Sequence, residues 1–276
     1  MSGGSCEAVG GVRWFGWTDV GRVRKNNEDS YLAIQFDARE VQLLGRLGEG
    51  GLAEVDRAFA VCDGMGGAKA GEFASRVAVE QITKLLPRSF IQRAAGWAAG
   101  NPDLLNELFT KIHKALVYMG GCYEECAGME TTLSLCWFSP GWMHFAHVGD
   151  SRIYYLPGSG SGIRQLSHDD TYVGWLFRSG QINEREARMH PRRNVLQKAL
   201  GGGNQFVDPQ LGAVGTEPGD RFLICSDGLT EGLYDHHLAD LLQNPGESGN
   251  PAQALVEASV ELDGKDNTTA LVVEVL

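Results

Sequence analysis

The chain has 276 residues, 43% of them hydrophobic and 21% charged, a composition that excludes a disordered chain or a repeat array and allows one large core. Its 24 Lys and Arg against 35 Asp and Glu give a net charge of −11, which speaks against a nucleic-acid partner and leaves any single Asp uninformative. No apolar run approaches the ~18 residues of a membrane span, and the opening Met-Ser-Gly-Gly-Ser-Cys6 lacks the basic start and apolar stretch of a signal peptide, so a cytoplasmic protein is expected.

In chain order, residues 1–12 are Gly-rich and read as a flexible tail, and 13–276 as a single domain. Trp14 to Val20 and Tyr31 to Phe36 read as the first two strands. Residues 37–57 mix charges with Gly45, Gly48, Gly50 and Gly51 and read as a loop insertion. Ala58 to Cys62 is a short buried strand ending at Asp63, followed by a helical pattern from Ala70 to Leu86. Asn101-Pro102-Asp103 suits a helix start. Leu104, Leu105, Leu108, Ile112, Leu116 and Met119 then recur at helical spacing, as a face packed on a core.

Strand patterns return at Thr131–Phe138, Trp142–Val148, Arg152–Leu156, Arg221–Cys225 and Thr269–Val275. Helical character lies at Thr171–Ser179, Glu184–Met189 and Pro251–Leu262. Strands at both ends with helices between them predict an α+β fold of two sheets with helices packed outside. Cys62, Cys136 and Cys225 sit in apolar runs as reduced core residues, and Cys122-x3-Cys126 lacks the further ligands of a zinc site.

Chemistry enters with two similar segments. Phe59-Ala-Val-Cys-Asp63-Gly64-Met65 and Leu223-Ile-Cys-Ser-Asp227-Gly228-Leu229 each run from a buried strand into Asp-Gly. An Asp at the end of a buried strand is partly desolvated and needs compensation, which a divalent cation supplies. The glycine permits a sharp turn and close approach of its carbonyl to an ion. Glu28-Asp29, Asp150 and Asp266 occupy similar strand-end settings, and oxygen-only donors suit Mg²⁺ or Mn²⁺. Taken singly, each Asp-Gly is more readily a turn or cap signal than a metal ligand; the joint pattern carries the argument. Arg24, four residues before Glu28, is suited to gripping a phosphate, although a lone Arg is more commonly a solvated surface charge. There is no zinc-type His spacing, no Cys-x5-Arg nucleophile motif, and no Lys-Ser/Thr after Gly64-Met-Gly-Gly67 to make a nucleotide loop.

Together the motifs resemble the metal-dependent protein phosphatases of the 2C type, in their bacterial, stand-alone form. The resemblance runs in order through Arg24-Lys-Asn-Asn-Glu28-Asp29-Ser30, Val61-Cys-Asp63-Gly64-Met-Gly-Gly67, Ala70-Gly71-Glu72 and Thr131-Thr132-Leu133. It continues through His147-Val-Gly149-Asp150-Ser151-Arg152, Leu166-Ser-His168-Asp169, His190-Pro-Arg-Arg-Asn194, Ser226-Asp227-Gly228-Leu229 and Asp266-Asn267-Thr268-Thr269. It implies a central β-sandwich of two antiparallel sheets flanked by α-helices, forming one catalytic phosphatase domain over 13–276 with a mobile flap at about 167–204. The implied activity is hydrolysis of phosphoserine and phosphothreonine on proteins by a metal-activated water, without a phosphoenzyme.

By the same resemblance Asp63 would bridge two Mn²⁺ or Mg²⁺ ions and Gly64 would offer its carbonyl to one of them. Asp227 and Asp266 would bind the other, Glu28 and Asp29 would hold metal-bound waters, and Asp150 with Asp227 would form a weaker third-metal site. Arg24 would grip the substrate phosphate. The implied partners are phosphorylated proteins, with a Ser/Thr kinase or its substrates among them, and a monomer without nucleic acid or membrane. Two positions depart from the family: Met65 stands where many eukaryotic members carry His, and Glu130 where Gly usually precedes Thr-Thr, which puts the local strand packing in question. A non-catalytic phosphoprotein adaptor and a two-metal nuclease are the competing readings. The retained acids argue against the first, and the acidic balance against the second.

Overall fold

The structure, a computed structural model, describes residues 10–37, 39–66, 69–94, 100–203 and 206–276. The chain opens with strands β1 (Gly11–Asp19), β2 (Asp29–Phe36), β3 (Val41–Leu43), β4 (Leu47–Gly51) and β5 (Asp56–Met65). Helices α1 (Ala70–Ala94) and α2 (Asn101–Cys122) follow, then β6 (Glu130–Thr131), β7 (Leu133–Ser139), β8 (Trp142–Val148), β9 (Arg152–Leu156) and β10 (Arg164–Gln165). The last third holds α3 (Tyr172–Arg178), α4 (Glu184–Met189), β11 (Leu200–Gly201), β12 (Gln210–Gly215), β13 (Arg221–Cys225), α5 (Asp227–Gly232), α6 (Asp235–Gln243), α7 (Pro251–Leu262) and β14 (Thr268–Val275).

Six strands form one sheet in the order β10-β9-β13-β14-β1-β4, and the other runs β11-β6-β5-β7-β8-β12 with β2 on β5 and β3 on β2. Every named strand pairing is antiparallel. The predicted α+β sandwich of two antiparallel sheets is therefore the fold observed.

Burial follows from this layering. Between the sheets Val12, Trp14, Phe59, Val61, Phe138, Phe222, Ile224 and Val273 form one apolar layer. On the outer face of the larger sheet α1 and α2 cover Leu32, Ala60, Leu135 and Trp137 with Ala74, Ala78, Ile82, Leu105, Leu108, Ile112 and Leu116. On the far side α5, α6 and α7 cover Tyr154, Leu223, Ala270 and Val272 with Leu229, Leu238, Leu255 and Val256. The central strands β5 and β14 are thus buried on both faces, which is why they read as continuous apolar runs, whereas β1 alternates strictly along Gly11–Trp17. Among the described residues no helix is long and apolar enough to cross a membrane.

Most predicted elements fall where expected, several to the residue. Four points need correction. The 37–57 stretch is not a structureless insertion: it holds β3 and β4, which pair with β2 and β1. Its glycines masked the strands, and one is demanded by packing, since a Cβ on Gly48 would lie 2.2 Å from the Trp14 ring. Strand β12 and helices α5 and α6 escaped notice, being short and, for β12, glycine-broken; Gly212 leaves room for the ring of Phe145. Strand β1 begins at Gly11, two residues before the expected domain start, and the rest of the expected tail, residues 1–9, lies outside the described residues. Glu130 does not upset its strand: β6 pairs with β5 and β11, and Gly202 supplies the space, because a Cβ there would lie 1.7 Å from the Glu130 carboxylate.

Candidate metal centre

Antiparallel pairing brings the distant acids to one rim of the sandwich. Strand β2 starts at Asp29, which stands directly opposite Asp63 near the end of β5. The end of β5 lies beside the start of β7, which pairs with the end of β8, and Asp150 follows two residues later. In the other sheet the end of β13 meets the start of β9 and the start of β14, through Cys225↔Arg152 and Cys225↔Ala270. Asp227 leaves β13 at this point and Asp266 leads into β14. The short segment 149–151 passes here from one sheet to the other. Both sheets therefore contribute carboxylates to the same edge.

Electrostatics carry the mark of this gathering. Withdrawal from water, then repulsion from Asp29, Asp227, Asp150 and Asp266, raises the Asp63 carboxyl well above the ordinary carboxylate range. Asp227 is raised well above it too, by burial and then by Asp150, Glu231, Asp266 and Asp29. Burial pushes Asp29 up to about 6 against the opposing pull of hydrogen bonds from Thr269 and Ser226. It pushes Asp150 up to about 7, with Asp169 adding repulsion. Glu28 is raised by burial, with Arg24 acting in the opposite sense. Among the described residues no three His, Cys, Asp or Glu close around a common point as a ready-made cage; what the topology provides is a shared rim.

Each acid is held by its own scaffold. Ser226 Oγ and Thr269 Oγ1 donate to Asp29 Oδ2 at 2.7 and 2.6 Å. Thr18 and Asn27 extend the chain of hydroxyl and amide groups behind Thr269. Asp29 Oδ1 is buried without a hydrogen-bond partner among the described residues. Leaving a buried carboxylate oxygen unsatisfied costs on the order of 1–3 kcal/mol or more. A hard cation or its bound water is the partner such an oxygen lacks, so the residues present fit a divalent metal. Asp63 is fixed through its backbone: its N–H donates to Thr132 Oγ1 at 3.0 Å, and its carbonyl accepts from Thr132 N and Thr131 Oγ1, both at 2.9 Å. Thr132 Oγ1 also meets Ser151 Oγ, joining Asp63 to the turn that carries Asp150.

The glycines after Asp63 and Asp227 serve a different end from the sharp turn expected of them. Gly64 lies within β5 and Gly228 within α5, neither at positive φ. A Cβ on Gly64 would lie 2.0 Å from the Gly71 carbonyl oxygen at the start of α1, and one on Gly228 2.1 Å from the Asn267 carbonyl oxygen. Each glycine lets a neighbouring backbone close onto the acidic rim.

Several motif residues have positioning roles that the sequence does not reveal. Asn267 Oδ1 accepts from Glu28 N at 2.8 Å while its Nδ2 donates to the Val20 and Asn26 carbonyls at 2.9 and 3.0 Å. It clamps the β1–β2 connection, with Arg24 and Glu28, onto the segment carrying Asp266. Replacing Asn267 by Ala removes all three bonds. The expected result is a loss of about 1–3 kcal/mol in stability, read as a lower Tm and faster amide exchange across residues 20–28. His147, the first residue of the His147–Arg152 motif, is buried with Nδ1 2.8 Å from Ser134 Oγ and Nε2 3.0 Å from the Gly149 carbonyl. Burial pushes its pKa down, so the neutral ring props the turn before Asp150.

Arg24 reaches the rim as expected, but onto a carboxylate: its Nη2 donates to Asp266 Oδ2 at 2.6 Å. Residues 167–203 stand beside the rim. Arg152 grips Asp169 with two bonds of 2.8 and 2.7 Å. Arg188 of α4 donates to the Thr230 and Leu233 carbonyls at 2.7 and 3.1 Å. With α5 this segment encloses a cavity of about 750 Å³ whose wall includes Asp150 and Asp227.

A two-sheet antiparallel sandwich between helical layers, with carboxylates from both sheets on one rim, defines the class of fold. Comparison with known proteins gives the family. Residues 50–258 match the family model described as Protein phosphatase 2C. The serine/threonine protein phosphatase PstP of Mycobacterium tuberculosis is 32% identical over 268 residues, covering 96% of this chain and 45% of that protein. The chain thus spans somewhat under half the length of that relative. The serine/threonine phosphatase stp of Listeria welshimeri is 31% identical over 258 residues, covering 93% of each chain. Among solved structures, the catalytic domain of serine/threonine protein phosphatase PstP in complex with two manganese ions superposes with a TM-score of 0.74 at 29% identity, covering 97% of this chain and 99% of that one. The chain belongs to the protein phosphatase 2C family.

Proposed function

We infer that the protein is a metal-dependent phosphatase acting on phosphoserine and phosphothreonine of other proteins. The observation that carries this reading is the shared carboxylate rim with its unsatisfied Asp29 oxygen, in a chain of this family. Asp63, Asp227 and Asp266, with the Gly64 carbonyl, are the groups that would hold two divalent ions. Glu28 and Asp29 would act through water, and Asp150 with Asp227 would take a weaker third ion. When bound, Mn²⁺ or Mg²⁺ would lower the pKa of a water toward neutrality and neutralise phosphoryl charge.

The chain's own residues supply position and exclusion. Thr131, Thr132, Ser226, Thr269 and Asn267 fix the acids before any ligand arrives, so little reorganisation accompanies the reaction. Arg24, on an exposed segment, is the donor that would meet two phosphoryl oxygens of the substrate. Met65 has no ionisable proton and cannot serve the leaving Ser or Thr oxygen. Phosphorylated proteins, a Ser/Thr kinase or its substrates among them, are the substrate class this reading assigns, with the cleft between residues 167–203 and α5 beside the site. No residue of the chain needs to carry the phosphoryl group covalently.

The test is hydrolysis of a phosphothreonine peptide by the full chain. Activity is expected to disappear in excess chelator and to return on adding Mn²⁺ or Mg²⁺. Turnover that survives thorough removal of divalent ions would contradict the reading. Arg24→Ala should lower kcat/KM on the same peptide, and an unchanged value would take Arg24 out of the phosphate site.

A further inference from the structure

Asp266 has two carboxylate oxygens, and both are occupied by groups of the chain. Oδ1 accepts from the Asn267 backbone N–H at 2.8 Å. Oδ2 lies 2.6 Å from Nη2 of Arg24. The two partners differ in kind. The first is a backbone group of the next residue, fixed by the local chain. The second is a long side chain, 52% exposed, from the connection between β1 and β2. The positive charge of Arg24 is also felt by Glu28 and Asp63, so it serves as a countercharge to the rim as a whole. Such a charge next to a cation site repels an incoming ion and competes for the same oxygen.

We propose that Asp266 Oδ2 exchanges partners: Arg24 holds it until a divalent cation takes it, and the displaced guanidinium is then the group offered to phosphate. This rests on the reading of Asp266 as a metal ligand. It adds that the phosphate-gripping residue is itself an internal competitor of the metal. Three consequences follow from the geometry. The ion pair keeps the rim from accumulating unopposed negative charge before the ion arrives. Seating the cation frees the five-donor fork of Arg24, so metal and phosphate binding favour each other. Arg24 remains close by because Asn267 clamps its segment to Asp266, so release needs a side-chain rotation and no movement of the fold.

Mn²⁺ binding to the metal-stripped full chain, by calorimetry and by the electron spin resonance of free Mn²⁺, tests this without any substrate. Arg24→Gln is expected to bind Mn²⁺ about five- to tenfold tighter than the unaltered chain, a coupling of ordinary allosteric size. Lys25→Gln removes a neighbouring charge that has no place in the ion pair, and should change the affinity less than twofold. Inorganic phosphate should bind the Mn²⁺-loaded chain and gain little affinity for the stripped one. Equal or weaker Mn²⁺ binding by Arg24→Gln, or equal tightening by Lys25→Gln, would overturn the exchange. Asp266→Asn separates the two levels: if it binds Mn²⁺ as the unaltered chain does, Asp266 is no ligand and both readings fall. If it loses binding while Arg24→Gln shows no gain, only the exchange falls. Thermal melts of each variant in chelator check that the fold persists.

Discussion

Asp63→Asn is expected to reduce hydrolysis of a phosphothreonine peptide by about a thousandfold or more, the scale of losing a group that organises the charge-stabilising centre of a reaction. The fold should survive, because the Asp63 backbone carries the bonds to Thr131 and Thr132 and these do not involve the carboxylate. In chelator the variant should melt no lower than the unaltered chain, and above it at pH 8. The reason is the sign of the electrostatics. Asp63 lies opposite Asp29 and is raised well above its ordinary range by burial and by its acidic neighbours, so its ionised form is disfavoured in the folded state. Asp29, at about 6, and Asp150, at about 7, behave alike. A carboxyl raised on folding binds more protons folded than unfolded, so stability falls as pH rises from about 4 through the folded value. Metal-stripped protein should therefore lose stability between about pH 4 and pH 7, and Asp63→Asn should lose less of it. A full-rate Asp63→Asn enzyme would remove this residue from the site. A variant that melts well below the unaltered chain in chelator would assign it a structural role instead.

Gly228→Ala is expected to damage both stability and function with one methyl group. The new Cβ would lie 2.1 Å from the Asn267 carbonyl oxygen and 3.0 Å from Thr268 Oγ1, both fixed by the entry to β14. Relief requires α5 or the Asp266–Thr268 segment to move, and each carries an acid of the rim. Overpacking of this kind costs about 1–3 kcal/mol, and more where the opposing atom is backbone. A fall in Tm together with weakened Mn²⁺ binding is the predicted signature, measured by thermal melt and calorimetry on the same samples. Unchanged Mn²⁺ affinity would mean that α5 tolerates the shift without disturbing Asp227. Gly215→Ala, where a Cβ meets nothing within 4 Å, is the matched control.

Much of the fold could be read from the sequence because burial on both faces leaves a plain signature. Trp142–Val148, Arg152–Leu156, Arg221–Cys225 and Pro251–Leu262 are found at the predicted bounds. The missed elements share a physical reason. Strands β3 and β4 lie at sheet edges with largely exposed side chains, so no apolar alternation marks them. Helix α5 is a single short stretch opening on Asp-Gly, which reads locally as a turn. At the site the acids themselves were legible through their strand-end positions. The roles of their supports were not: Ser226, Thr269, Thr132 and Asn267 stand within the resembling motifs, but their partners lie across the fold, as with Ser226 and Asp29, 197 positions apart. The role of His147, though the residue opens the His147–Arg152 motif, was hidden for a related reason, since its partner Ser134 is brought to it by strand register.

The passage of residues 149–151 from one sheet to the other has a mechanical meaning. Because both halves of the sandwich lend carboxylates to the rim, an ion seated there would act as a rivet through the seam, and any sliding of one half over the other would first have to tear it out. Ion occupancy would thereby be tied to the integrity of the whole assembly, and the expected readout is a melting temperature that rises with Mn²⁺ concentration, for a stabilisation of about 2.7 kcal/mol at a hundredfold excess over Kd.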